Sequence, residues 1–282
     1  MNKLFDPAYY GALCNMVRRA AIAAGDETLN YFDESGVPET MIKDDGSPVT
    51  LADHAAEEII LKALADIDDT VPVVAEESVA AGRIPDLNGV SRFWLVDPLD
   101  GTKGFISGSG EYCVNIALIE NGVPALGVIY APVVGELFAG YGPDTALRYM
   151  VDDDQEKDIA CRRAPRNGLT VMTTRHHGDV DRLNGYLESL KVEKLLKRSS
   201  ALKFCAIAFG KADLYIRAGE TSEWDSAAGH AILLAAGGNV VDASGNPLTY
   251  GHADRGFRNP DFAAASDDVL PMLDGLFFTR AA

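Results

Sequence analysis

The sequence predicts an α/β fold built from two lobes. Its first half groups two amphipathic helices with a run of apolar strands, and its second half alternates strand and helix. The pattern changes near residues 145–165. We therefore expect an N-terminal α+β lobe over residues 1–150 and a C-terminal α/β lobe over residues 151–282. With 282 residues, of which 47% are hydrophobic, the chain is long enough to bury a large core.

The first half begins with two helices and continues as strands. Helical spacing of apolar residues and the position of Pro7 predict the first helix, and Thr50 or Asp53 can cap the second. The expected elements are a helix over 7–33, a loop or irregular hairpin over 36–50, a helix over 51–67, a strand over 70–78 ending in two glutamates, the buried strand "RFWLVD", and a meander of "EYCVNIALIENG", "VPALGVIYAPV" and "GELFAGY".

The second half reads as alternating strands and helices. Residues 144–168 carry many charges and receive no assignment. The expected elements after them are a strand "LTVMTT", a helix "VDRLNGYLESL", a strand "VEKLLKRS", an apolar helix ending at Gly210, a strand "ADLYIRA", a helix "SEWDSAAGHAILLAAGG" and a strand "NVVDASG".

Composition excludes several classes of function. A net charge of −17 is incompatible with general binding of nucleic acid phosphates, and no polybasic face is present for an anionic membrane. The four cysteines form no CxxC pair, and Cys113 and Cys205 lie in apolar runs, which favours buried thiols in a reducing cytosol. No signal-peptide core or membrane span is evident. We expect a cytoplasmic protein and leave open a peripheral contact with the cytoplasmic face of the inner membrane.

Six acidic residues occupy unusual places for a soluble chain. They are Asp53 at a helix start, Glu76 and Glu77 at a strand end, Asp97 at a strand end, Asp100 in a turn, and Asp225 at the start of an apolar helix. A carboxylate at the end of a buried strand is costly unless it is paired or bound to a cation. Several such oxygens with few basic neighbours indicate Mg²⁺. Taken singly, each residue is also explained as a helix cap, a turn residue or a solvated strand end.

The segment "DGTKGF" adds a second chemical element. A turn that runs through Gly101 and Thr102 into a helix exposes backbone N–H groups, which bind phosphate oxygens. Carboxylates for a metal beside amides for a phosphate predict metal-assisted hydrolysis of a phosphate ester.

Three motifs together resemble a known enzyme family. "EES", "DPLDGT" and "WDSAAG", in that order, are typical of the inositol monophosphatase superfamily of lithium-sensitive, Mg²⁺-dependent phosphatases, and the resemblance extends from about residue 40 to residue 260. Lys103 and the stretches "GSPVTLAD", "VNIALIENGVPALGVIYAPV" and "SSALKFCAIAFGKADLYIR" look like the bacterial 3′(2′),5′-bisphosphate nucleotidases. Gly104, where these nucleotidases commonly carry Glu, and the segment "TTRHH" depart from their pattern.

The resemblance implies a fold and an activity. The fold would be the layered α-β-α-β-α arrangement of the sugar phosphatases. The activity would be removal of the 3′-phosphate from adenosine 3′,5′-bisphosphate, a by-product of sulfate assimilation, giving AMP and phosphate. Two or three Mg²⁺ ions per site and inhibition by Li⁺ would accompany it. The partner would be this small nucleotide and not a nucleic acid polymer.

The resemblance also implies a role for individual residues. Glu76, Asp97 and the carbonyl of Leu99 would hold one Mg²⁺, and Asp97, Asp100 and Asp225 a second, with Glu76 reaching a third through water. The substrate would contact Glu76, Leu99, Asp100 and Asp225 of this set and the amides of Gly101 and Thr102. Asp53 and Thr102 would orient and deprotonate the attacking water. His177, Ser200, Lys203 and Arg217 would contact the nucleotide.

Alternative interpretations stay open at this point. An inositol monophosphatase or a broader sugar phosphatase would need neither Lys203 nor Arg217, which could then be a lysine extending from an apolar helix and a solvated strand end. His177 could lie in an exposed polar loop. A non-catalytic sensor of phosphorylated metabolites is a third alternative, although every expected carboxylate and Thr102 are present. The oligomeric state is not determined, and a homodimer remains an alternative.

Overall fold

Two β-sheets separated by helices form the framework of the protein. The structure, a computed structural model, describes residues 6–36, 41–42, 48–174 and 180–274. The helices are α1 (Pro7–Leu29), α2 (Leu51–Asp68), α3 (Glu76–Ala80), α4 (Thr102–Ile106), α5 (Val180–Leu187), α6 (Leu202–Ala208) and α7 (Ala227–Ala235). The strands are β1 (Met41–Ile42), β2 (Pro48–Val49), β3 (Val73–Ala75), β4 (Arg92–Asp100), β5 (Cys113–Glu120), β6 (Val123–Ala131), β7 (Glu136–Gly140), β8 (Leu147–Met150), β9 (Gln155–Asp158), β10 (Leu169–Thr173), β11 (Val192–Lys197), β12 (Leu214–Arg217), β13 (Gly238–Asp242) and β14 (Phe262–Ser266).

The larger sheet has seven strands in the order β3-β4-β5-β6-β7-β8-β9. Strand β3 is parallel to β4, and every later pair is antiparallel, which confirms the predicted meander. Strands β8 and β9 lie within residues 144–168, which the sequence left unassigned. All four residues of β9 are exposed, so this strand has no apolar alternation from which it could be predicted.

The second sheet has five strands in the order β11-β10-β12-β14-β13. Strand β10 is parallel to both β11 and β12, whereas β14 is antiparallel to β12 and β13. The sequence predicted four of these strands and missed β14, whose alanine-rich segment "FAAAS" is buried along its whole length.

The helices and sheets stack as alternating layers, α-β-α-β-α. Trp94 and Val96 of β4 pack with the buried faces of α1 and α2, while Phe93 and Leu95 pack with α6 and α7. Helices α6 and α7 therefore lie between the sheets, and α5 covers the far face of the second sheet. Among the described residues, none of the helices has both the length and the apolar character needed to cross a bilayer.

Three local features refine the expected elements. Thr50 is the N-cap of α2, and Asp53 at its third position completes a capping box, as the cap prediction allowed. Glu76 and Glu77 do not end strand β3 but begin the short helix α3. Asp225 ends a separate 3₁₀ helix, Glu223–Asp225, which precedes α7.

Helix α7 approaches the larger sheet closely because glycines face it. Gly127 of β6 and Gly140 of β7 are direct partners in the sheet. A Cβ atom on Gly127 would lie 2.8 Å from the Cβ of Ala231 and still closer to the carbonyl oxygen of Ala228. The contact holds the start of α7, and with it Asp225, against the sheet.

Replacing Gly127 by Ala is expected to destabilise the fold by about 3 kcal/mol, because overpacking against a helix backbone cannot be relieved by side-chain rotation. Urea unfolding followed by circular dichroism would measure the loss. Gly185→Ala in α5 is the matched control, since no atom lies within 4 Å of its Cβ position. Equal stability of the two variants would contradict the close packing of α7.

Candidate active site

A β-bulge in β4 places Asp97 and Asp100 on one face of the sheet. Asp97 pairs with Asn115 and Asp100 pairs with Cys113, so three steps along β4 match two steps along β5. Residues three apart in a regular strand point to opposite faces, and the extra residue corrects this. Pro98 lies inside the bulge, where its missing N–H breaks no ladder hydrogen bond.

The turn that follows the bulge requires a glycine. Gly101 has φ of 103°, and a Cβ atom there would lie 2.7 Å from the carbonyl oxygen of Glu111. Helix α4 begins at the next residue, Thr102, whose hydroxyl donates to the carbonyl of Leu99 at 3.4 Å. The first N–H groups of a helix have no intrahelical acceptor, so this turn offers donors for an anion.

One cleft of about 590 Å³ brings together most of the predicted site residues, and its volume is within the range of small-molecule sites. The predicted residues that line it are Glu76, Asp97, Leu99, Asp100, Gly101, Thr102, Ser200, Lys203, Arg217 and Asp225. Asp53 does not line the cleft. His177 lies outside the described residues.

Asp53 is buried behind the turn that carries Thr102. Its Oδ2 accepts hydrogen bonds from the backbone N–H of Thr50 at 2.8 Å and from the Thr50 hydroxyl at 2.7 Å. The neighbouring Ala52 packs against Leu99 in a small apolar cluster, which places the start of α2 beside the turn. The pairing of Asp53 with Thr102 stays a prediction.

Glu76 is positioned by a second glutamate. Ala75 pairs with Val96 in the sheet, so Glu76 follows directly beside Asp97. The buried carboxylate of Glu57 accepts the N–H of Glu77 at 2.9 Å and the hydroxyl of Ser78 at 2.6 Å. Glu57 thereby anchors the first turn of α3, which the sequence did not indicate.

Asp100 is held by donors on one of its two oxygens. Its Oδ2 accepts from the N–H of Ala201 and from Nδ2 of Asn115 at 3.1 Å. The thiol of Cys113 donates to Oδ1 of Asn115 at 3.3 Å, which fixes the orientation of that amide. Asn115 is therefore a positioning residue that the sequence analysis missed. Its signal was present, since it is the single polar residue in the run "CVNIALI".

The other two aspartates follow the same pattern. Asp97 accepts the N–H of Leu99 on Oδ1 at 3.0 Å, and Asp225 accepts the N–H of Ser222 on Oδ2 at 2.8 Å. Within the described chain, no protein donor is hydrogen-bonded to the remaining oxygen of Asp97, Asp100 or Asp225. One oxygen of each thus remains for a cation.

The crowding of carboxylates raises their pKa values. Burial raises the pKa of Asp97 well above its usual range, and the charges of Glu76, Asp100 and Asp225 raise it further. Burial and the charges of Asp100 and Glu76 raise the pKa of Asp225 to about 7. Burial also raises the pKa of Asp100, although the ammonium of Lys203 opposes this effect. The negative charge exceeds the local positive charge, so a cation would be bound favourably here.

Two buried cations lie in the same cleft. Lys203 is 5% exposed, and Nζ donates to the carbonyl of Ser200 at 2.5 Å and lies over the ring of Tyr215 at 5.0 Å. Burial lowers its pKa to about 8, so it stays mostly charged at neutral pH. Arg217 is 9% exposed and donates to the carbonyl of Glu220 at 2.5 Å. Both residues line the cleft and are not solvated surface cations.

The donor set fits Mg²⁺. Mg²⁺ prefers a few carboxylates, carbonyl oxygens and waters, and the cleft offers carboxylates with one oxygen remaining and the carbonyl of Leu99. In the part of the chain that the structure describes, no three His, Cys, Asp or Glu side chains are already grouped around one metal position.

Arg258 is a further cleft residue that the sequence did not single out. It reaches the cleft from the loop before β14, and Nη1 donates to the hydroxyl of Ser222 at 3.2 Å. Ser222 and Arg258 also form an isolated β-bridge. This contact joins residues 36 positions apart, so no local pattern could predict it.

Known proteins resemble this chain in sequence and in fold. The model of the inositol monophosphatase family matches residues 12–266. The 3′(2′),5′-bisphosphate nucleotidase CysQ of Salmonella typhimurium is 42% identical over 250 residues, covering 89% of this chain and 96% of that protein. Among solved structures, CysQ from Bacteroides thetaiotaomicron has a TM-score of 0.76 and 32% identity, covering 92% and 98% of the chains. The inositol monophosphatase of Anabaena has a TM-score of 0.72 and 26% identity, covering 95% and 96%.

Without metal, the protein is expected to lose stability as pH rises. The raised pKa values mean that the folded state binds protons more tightly than the unfolded state, so this contribution is present near pH 3.8 and is lost as pH rises through about 7 for Asp225. Mg²⁺ favours the ionised carboxylates and should raise the melting temperature more at about pH 8 than at about pH 5.5. Thermal unfolding with EDTA and with Mg²⁺ would measure this, and equal shifts at both pH values would contradict it.

Asn115→Ala is expected to weaken Mg²⁺ binding by about 10- to 100-fold, because Asp100 loses the amide that orients it. Calorimetric titration with Mg²⁺ measures the affinity directly. Cys113→Ser keeps a donor to the amide and is the control, with an affinity near that of the unmodified protein. An unchanged Mg²⁺ affinity in Asn115→Ala would show that Asp100 needs no such support.

Proposed function

The chain belongs to the inositol monophosphatase family, and from that premise we propose that it is a Mg²⁺-dependent 3′(2′),5′-bisphosphate nucleotidase. It hydrolyses a phosphomonoester, and the substrate is adenosine 3′,5′-bisphosphate. Water replaces the ribose oxygen on phosphorus, which yields AMP and inorganic phosphate. The proposed link to sulfate assimilation follows from this substrate.

The observation that carries the proposal is the pair of buried cations in the carboxylate cleft. A phosphate at the bulge and the turn of Gly101 would be bound by metal and by backbone amides, so its binding does not require Lys203 or Arg217. Burial of a cation is costly in free energy unless an anion pairs with it. Lys203 has three N–H donors, and among the described residues two of them bind the carbonyls of Ser200 and Arg198, so one remains for a ligand. A second phosphate on the substrate supplies the matching anion.

The relatives support the same choice of substrate. CysQ of Salmonella typhimurium carries the name of a 3′(2′),5′-bisphosphate nucleotidase, and it spans nearly the whole of this chain. Its identity of 42% exceeds the 26% identity to the inositol monophosphatase of Anabaena.

The chain's own residues divide the reaction among them. Glu76, Asp97, Asp100, Asp225 and the Leu99 carbonyl would hold Mg²⁺. When bound, Mg²⁺ supplies Lewis-acid activation of water and compensates charge on the phosphoryl oxygens. The N–H groups of Gly101 and Thr102 bind the phosphate that is cleaved. The hydroxyl of Thr102 and the carboxylate of Asp53 together orient the attacking water and receive its proton.

On the nucleotide side, Lys203 and Arg217 bind the 5′-phosphate, and Ser200 and His177 complete the contacts to the nucleotide. We propose two or three Mg²⁺ ions for each site, because four carboxylates exceed what one ion requires. We place the reaction in the cytoplasm, where a reducing environment suits buried thiols such as Cys113.

A comparison of substrates tests the proposal. Phosphate release with Mg²⁺ is measured from adenosine 3′,5′-bisphosphate, adenosine 3′-monophosphate, inositol 1-phosphate and fructose 1,6-bisphosphate. The bisphosphate nucleotide should have the highest kcat/KM. Arg217→Ala should reduce its advantage over adenosine 3′-monophosphate by about 10- to 100-fold, the worth of one or two charge-assisted hydrogen bonds to the 5′-phosphate.

Arg18→Ala is the matched control, because Arg18 has the same charge and pairs with Glu156 away from the cleft. Its preference between the two nucleotides should equal that of the unmodified enzyme. A preference for inositol 1-phosphate would overturn the nucleotidase assignment in favour of an inositol monophosphatase. No turnover of any of the four compounds would indicate a sensor.

A further inference from the structure

The turn at residues 199–201 is held between two carboxylates. Asp100 accepts the N–H of Ala201, and Glu111 accepts the N–H of Ser199 at 3.3 Å through Oε2. Ser200, between them, has φ of 60°, a left-handed conformation that is unfavourable for a residue with a side chain. Such a conformation persists only where its surroundings hold it.

Glu111 can reach this turn because residue 104 is glycine. A Cβ atom on Gly104 would lie 2.6 Å from the carbonyl oxygen of Glu111 and 3.2 Å from Oγ of Ser109. Both the N–H and the hydroxyl of Ser109 donate to the carbonyl of Gly104, at 3.0 and 3.1 Å, and fold the loop onto α4. Any side chain at position 104 would push the backbone of Glu111 away from α4.

The turn at residues 199–201 also determines where the ammonium of Lys203 lies. The carbonyl of Ser200 accepts a hydrogen bond from Nζ of Lys203 at 2.5 Å. Ser199, Ser200 and Lys203 all line the cleft, whereas Glu111 does not. Glu111 therefore acts on the cleft through the turn, from a loop on the opposite sheet.

We propose that Gly104 and Glu111 form a clamp that positions the 199–201 turn and so determines the affinity for the nucleotide bisphosphate. Both are positioning residues and neither touches the reacting atoms. The inference rests on the proposed function, because the turn and Lys203 are assigned there to the nucleotide side of the cleft. It also explains what Gly104 does, at the position where the sequence departs from the nucleotidases it resembles: without a side chain there, Glu111 can approach α4.

The clamp is tested by separating KM from kcat. Glu111→Ala should raise the KM for adenosine 3′,5′-bisphosphate by about tenfold, with a much smaller change in kcat and in the KM of adenosine 3′-monophosphate. Glu111→Gln keeps an oxygen acceptor for the Ser199 N–H and should restore KM to within about twofold of the unmodified value. Gly104→Ala should raise KM as Glu111→Ala does, since it displaces the same carboxylate. The double variant should be no worse than either single variant.

Glu120→Ala is the matched control. This glutamate lies at the other end of β5 and pairs with Arg92 and Tyr10, so its loss should lower the melting temperature and leave KM unchanged. An unchanged KM in Glu111→Ala, or additive effects of the two clamp substitutions, would overturn the clamp alone. If the unmodified protein does not prefer the bisphosphate to adenosine 3′-monophosphate, the proposed function fails. The clamp then has no nucleotide affinity to determine and fails with it.

Discussion

The bulge in β4 is the constraint on which the site depends. A regular strand would direct Asp97 toward α6 and α7 and Asp100 toward α1 and α2, because their positions differ by three. One extra residue turns both carboxylates toward the layer between the sheets. The partner strand is also adapted, since Asn115 lies opposite the first carboxylate and Cys113 opposite the second. The sheet itself therefore positions Asp97 and Asp100, whereas Glu76 and Asp225 reach the cleft from α3 and from the 3₁₀ helix before α7.

Asp100 connects the two sheets. Its Oδ2 accepts donors from β5 and from the backbone of Ala201, which begins the approach to α6. Lys203, two residues further along, partly neutralises the same carboxylate. The site thus combines an excess of buried negative charge in the first sheet with cations carried by the middle helices and by β12. In the proposed function, a divalent cation would balance the carboxylates and a second phosphate of the substrate would balance the buried cations.

Residue type and strand periodicity are local signals, and they predicted the α/β class, the meander and the set of carboxylates. The layered arrangement was implied by the resemblance of the motifs to a known family. It placed Glu76 at a strand end, whereas it begins a helix, since the carboxylate of Glu57 receives the N–H of the following residue from 20 positions away. Residues 155–158 form an exposed strand with no apolar face, and only their register with β8 identifies them. Asn115 was visible as a polar residue in an apolar run, but its role needs the register of the bulge.

The carboxylates and the turn at residues 199–201 are held by different kinds of contact. Asp97 and Asp100 stand on a buried strand, and Asp225 lies just before α7, which packs against Gly127, so few substitutions are tolerated there. The turn at 199–201 instead depends on a strained serine and on hydrogen bonds from another sheet. A change at position 104 or 111 can move this turn while leaving the bulge intact. The conformation of the turn is thus set by contacts outside the group of carboxylates, so the nucleotide side of the cleft can change separately from the carboxylate side.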